Sequence, residues 1–219
     1  MPADLALVIF DCDGVLVDSE PISNAVLAAS LTTAGLPTSA DEAVREYKGM
    51  LLSDVRARAE QLLGRPLPDG LLDDFERDRE EAFRTSLQAV PGARDAVQAV
   101  QAAGVGVCVA SQGKLEKTEL TLTLAGLRDL FADGALFSAY QVPRGKPHPD
   151  LFWHAAATMG AAPERCAVVE DTVIGITAAV AAGMRVIGYA AAEAPATLEA
   201  AGAQPIHSLA EVPAVLGLG

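Results

Sequence analysis

An α/β fold, a Rossmann-like doubly wound parallel sheet with an inserted all-helical cap domain, is predicted by three observations. Short β-branched runs recur along the chain, alanine- and leucine-rich segments of helical spacing separate them, and residues 20–87 carry no β-rich run. Alternation of strand and helix predicts a parallel sheet covered on both faces.

The first strand is the apolar run 8–10, and later strands are predicted at 105–110, 135–137, 166–169 and 185–188. Helices fit 93–103, 115–125, 151–159 and 174–182, and Gly104, Gly126, Gly160 and Gly183 follow them as C-terminal glycines do. Within the insertion, charged residues recur at helical spacing through 41–46, 54–63 and 71–83. A helical insertion straight after the first strand cannot sit inside the sheet, so it predicts a separate small domain. The expected division is a core of 1–16 and 88–219 and a cap of 17–87, with Pro91-Gly92 marking the return to the core.

The chain has 219 residues, 51% of them hydrophobic, enough to bury a full core. Asp and Glu outnumber Lys and Arg by 29 to 16, and the net charge of -13 argues against nucleic acid or an anionic membrane as the main partner. Cys12, Cys108 and Cys166 lie in or beside apolar runs and read as buried reduced thiols rather than a disulfide framework. No basic leader or bilayer-length apolar stretch is seen, so a cytoplasmic protein is expected, with a monomer as the default.

Polar residues with chemical potential gather at predicted strand ends. They are Asp11-Cys12-Asp13-Gly14, then Ser111, then Lys146 in Arg144-Gly145-Lys146-Pro147, then Glu170-Asp171. In parallel α/β sheets ligands bind beyond the carboxyl ends of the strands. Asp11, Asp13 and Asp171, with Glu170 in reserve, offer hard oxygen ligands suited to Mg²⁺, and Ser111 and Lys146 add a hydroxyl and a cation. Together they describe a cup for a phosphoryl group. Singly, each has a plainer reading. Asp11 or Asp13 could serve a turn, Ser111 or Asp171 could cap the helix that follows, and Lys146 could be a solvated surface lysine, as could Lys114 just behind Ser111. His148, His154 and His207 lack partners at metal-ligand spacing and read as ordinary side chains.

The four motifs, in this order and each at the end of its element, resemble those of the haloacid dehalogenase superfamily over nearly the whole chain. The resemblance implies a Mg²⁺-dependent phosphatase acting through an aspartyl-phosphate. Asp11 would be the nucleophile and Asp13 the general acid and base. Lys146 would neutralise charge, and Ser111, Gln112 and Lys146 would bind phosphoryl oxygens. Mg²⁺ would be held by Asp11, Asp13 (through its backbone carbonyl), Asp171 and Glu170. The position of the helical insertion is similar to that in the β-phosphoglucomutase and phosphoglycolate phosphatase group, with Lys48, Gly49 and Glu20 as candidate substrate contacts.

Lys48-Gly49 resembles the mutase cap signature, but Leu52 and Ser23 stand where mutases carry an arginine and a histidine. A hydrolase is therefore favoured over a phosphosugar mutase. The runs 11–20, 136–140 and 144–147 are similar to the 6-phosphogluconate phosphatase type, implying a small phosphorylated sugar or sugar acid as substrate. A non-catalytic binding protein on the same fold is the alternative of another class, and the presence of Asp11, Asp13, Lys146 and Asp171 weighs against it.

Overall fold

The computed structural model describes residues 5–218. The chain divides into two compact units, 1–17 with 89–219, and 18–88. In chain order the elements are β1 (Leu7–Phe10), α1 (Glu20–Thr33), α2 (Ala40–Tyr47), α3 (Leu52–Leu63), α4 (Leu71–Ser86), α5 (Ala93–Ala102), β2 (Gly106–Ser111), α6 (Leu115–Leu124), β3 (Leu136–Ser138) and α7 (Asp150–Thr158). They continue with β4 (Cys166–Glu170), α8 (Val173–Ala181), β5 (Arg185–Tyr189), α9 (Pro195–Ala200), β6 (Gln204–Ile206) and α10 (Val212–Leu216).

The first unit holds one sheet in the order β3-β2-β1-β4-β5-β6, with every pairing parallel. The predicted sheet is therefore present, and its strand order reverses between β1 and β4, the position where ligands bind in such sheets. The central strands are buried along their whole length, as Val/Ile-rich parallel strands covered on both faces must be. Ile9, Phe10, Val109, Val168 and Ile187 have no measurable exposure. The sequence reading omitted β6. Pro205 inside that three-residue run disguises it, and an edge strand is where a sheet tolerates proline.

The second unit is entirely helical. Pro21 opens α1, and Ser39 caps α2 while Glu42 reaches back to the Ser39 backbone N–H. Leu27, Leu31, Tyr47, Val55, Ala59 and Phe75 form its core, so this unit has a hydrophobic centre of its own.

The β4–α8 junction fixes the end of the sheet. Thr172 caps α8 by accepting from the Gly175 N–H at 3.1 Å, taking the role the sequence reading had considered for Asp171. Glu170 Oε2 accepts from the Asp171 N–H, the Thr172 N–H and the Thr172 hydroxyl, each at 3.0 Å. Gly175 leaves the space this carboxylate occupies, because a Cβ there would lie 1.8 Å from Glu170 Oε1. Helix propensity alone makes Gly→Ala within a helix favourable by about 1 kcal/mol. Here the collision reverses the sign, and Gly175→Ala is expected to destabilise the protein by about 1–3 kcal/mol in urea unfolding. A variant as stable as the parent would contradict this packing.

Candidate active site

The chain leaves β1 at Asp11, whose N–H still donates to the Val169 carbonyl at 2.9 Å. That bond ties it to the end of β4, just before Glu170. The loop then turns sharply, with the Leu16 and Val17 N–H groups both donating to the Cys12 carbonyl. Gly14 has a φ of +82°, and a Cβ there would lie 2.4 Å from Asp171 Oδ2, so only glycine lets this turn sit beside Asp171.

Lys146 binds these strand ends together. Its ammonium donates to Asp11 Oδ1 at 2.5 Å, Glu170 Oε1 at 2.6 Å and the Ala110 carbonyl at 3.0 Å. It also lies 5.2 Å from the centre of the Phe152 ring. Taken alone Lys146 reads as a surface lysine, yet it is only 7% exposed. Burial by itself would lower its pKa, but the Asp11 and Glu170 carboxylates more than reverse this and hold it well above the ordinary lysine range.

Gln112 fixes the backbone of Lys146 from the loop after β2. Its side-chain carbonyl accepts from the Lys146 N–H at 3.0 Å, and its amide donates to the Lys146 carbonyl at 3.1 Å. The Gln112 side chain is thus engaged with the main chain. Ser111 is fully buried at the end of β2, and its hydroxyl accepts from the Gly113 N–H at 3.0 Å. It does not cap α6, whose N-cap is Lys114 with no side-chain cap.

Asp11, Glu170 and Asp171 form the metal-capable cluster among the described residues, each offering an oxygen within 4.8 Å of the others. No histidine belongs to it; His154 instead packs edge-on against Phe137 at 5.4 Å. Burial pushes the Asp11 carboxyl up to about 7; Lys146 opposes this, while Glu170 and Asp13 add to it. Three buried carboxylates face one ammonium, leaving an excess of two negative charges if all are ionised. An all-oxygen donor set with that excess fits a hard divalent cation.

The Asp13 side chain lies outside the cluster and pairs with Lys117, near the start of α6. Sequence reading did not single out Lys117. The only local hint was weak: a cation in the first turn of a helix is mildly disfavoured by the helix dipole. Cys12, between the two aspartates, is fully buried, and desolvation pushes its thiol far above the usual range. Cys108 and Cys166 are also buried and free. In the helical unit Glu20 Oε2 and Lys48 Nζ form an ion pair of 3.1 Å, with Gly49 directly following Lys48. Among the described residues no helix is long and apolar enough to cross a membrane.

A family model described as haloacid dehalogenase-like hydrolase matches residues 5–183. The chain is 31% identical over 185 residues to 6-phosphogluconate phosphatase of Escherichia coli K12, covering 84% of this chain and 82% of that protein. It is 32% identical to hexitol phosphatase B of the same organism, with 88% and 87% covered. The crystal structure of a HAD family hydrolase from Deinococcus radiodurans R1, with bound phosphate and sodium, superposes with a TM-score of 0.79 at 34% identity, covering 99% and 98%. The expected enzyme class, a phosphoric monoester hydrolase, agrees with the family and with the activities these relatives are named for. The chain belongs to the haloacid dehalogenase-like hydrolases.

Proposed function

We propose that the enzyme is a Mg²⁺-dependent phosphatase that hydrolyses a small phosphorylated metabolite, a sugar phosphate or sugar-acid phosphate, through an aspartyl-phosphate on Asp11. What carries this reading is the Asp11 carboxylate, held on Lys146 beside Glu170 and Asp171 where the strand order reverses. The relatives named as 6-phosphogluconate and hexitol phosphatases support the substrate class.

Asp11 attacks phosphorus, forming an acyl-phosphate bond as the ester P–O bond breaks, which divides a difficult hydrolysis into two easier steps. Asp13 donates its proton to the departing alkoxide. It then takes a proton from the water that cleaves the acyl phosphate, releasing inorganic phosphate and restoring both carboxyl groups. Lys146 offsets the repulsion between the Asp11 anion and the phosphate dianion. Ser111 and the backbone N–H groups of the loop at Gln112 bind the phosphoryl oxygens. Mg²⁺, held by Asp11, Asp171, the Asp13 carbonyl and Glu170, would supply further charge neutralisation and align the phosphoryl group.

The helical unit is the proposed cap, with Glu20, Lys48 and Gly49 as substrate contacts. Leu52 packs against that unit's own hydrophobic core, so no cation stands there for a second phosphate, and hydrolysis is preferred to phosphosugar mutation. Three buried free cysteines fit the reducing cytoplasm.

A panel of 6-phosphogluconate, hexitol phosphates, hexose phosphates and phosphoglycolate, assayed for released phosphate, is expected to give turnover with at least one member. Conversion of a hexose 1-phosphate to its 6-phosphate in the presence of catalytic bisphosphate would overturn the hydrolase reading. Asp11→Asn is expected to abolish turnover without unfolding the protein, and near-normal turnover with deamidation excluded would refute the nucleophile. Chelation with EDTA should abolish activity and added Mg²⁺ restore it; full activity after exhaustive chelation would remove the metal from the account.

A further inference from the structure

Lys117 has no part in the mechanism above, yet its ammonium pairs with Asp13 Oδ1. Its side chain is 12% exposed and that of Asp13 28%, so the pair lies near the surface with the lysine stem covered. The stem runs over Gly113: a Cβ on Gly113 would lie 3.2 Å from Lys117 Cδ and 3.4 Å from Ser111 Oγ. The absent side chain at Gly113 gives the lysine room to cross the loop that follows Ser111. Lys117 sits in the first turn of α6, where the helix dipole slightly disfavours a cation and the Asp13 carboxylate offsets that cost.

The two lysines divide the carboxylates between them. Lys146 holds Asp11 and Glu170, whereas Lys117 holds Asp13, whose side chain is outside the metal-capable cluster. We propose that Lys117 is a positioning residue for Asp13, fixing the carboxyl group where it exchanges a proton with the leaving oxygen and with the attacking water. This rests on the reading of Asp13 as general acid and base. Lys117→Met keeps an apolar stem in the covered space, and the Asp13 carboxylate it leaves is 28% exposed to water, so the effect should appear in catalysis more than in folding.

The test compares Lys117→Met and Lys117→Arg with wild type on two classes of ester. p-Nitrophenyl phosphate releases a stable anion and needs little proton donation, whereas alkyl esters such as 6-phosphogluconate and sorbitol 6-phosphate need it. A positioned acid contributes roughly 10²–10⁴-fold. Lys117→Met is expected to lose about tenfold or more in kcat/KM on alkyl esters and less than about threefold on p-nitrophenyl phosphate, a part of that range. Lys117→Arg should recover much of the alkyl-ester activity, the unfolding midpoint should stay within a few degrees of wild type, and an Asp13→Asn background should remove the effect. Equal losses on both ester classes, or none, would overturn the positioning role. Wild type that cleaves no phosphate monoester would instead overturn the reading of the site on which it rests.

Discussion

The site is organised by one buried ammonium. Carboxylates from β1 and β4 could not be packed together in a dry interior without a cation between them, because an unpaired buried charge costs several kcal/mol. Lys146 supplies that cation from a third segment, and the surrounding structure serves its placement. Gln112 grips its main chain, Phe152 lies near its charge, and Gly175 leaves the space in which Glu170 turns toward it. Burial, more than the neighbouring carboxylates, pushes the Asp11 carboxyl up to about 7 despite Lys146, so the cluster holds its negative charge at a cost. A divalent cation would complete the arrangement.

Parallel pairing places these groups. With Phe10 beside both Val109 and Val169, the residues that follow three different strands arrive at the same end of the sheet. The reversal of strand order between β1 and β4 opens the space into which Asp11 and Asp171 project, and Gly14 lets the first loop lie against Asp171. The helical insertion leaves the chain just after this loop and builds its own core from Leu27, Leu31, Tyr47 and Phe75.

Much of this was legible in the sequence because the strongest signals were local. Apolar runs ending in Asp11, Ser111 and Glu170-Asp171 locate the strand ends, and helical spacing identifies the insertion. What escaped depends on contacts between distant residues. The order of the motifs marks Lys146 as a site residue, but its burial and its bonds to carboxylates from β1 and β4 could not be read from the sequence. Lys117 belongs to no motif, and its link to Asp13 spans two elements. β6 was hidden by Pro205, and α8 is capped by the Thr172 hydroxyl, which accepts from the Gly175 N–H, rather than by Asp171.

The most direct measurement is chemical trapping of the enzyme during turnover: quenching in the steady state, reducing any acyl phosphate with borohydride, and mapping the modified peptide by mass spectrometry. Conversion of Asp11 to homoserine, absent without substrate, is the predicted result. Modification at another carboxylate, or steady turnover with no modification at Asp11 under conditions where the acyl phosphate accumulates, would contradict it.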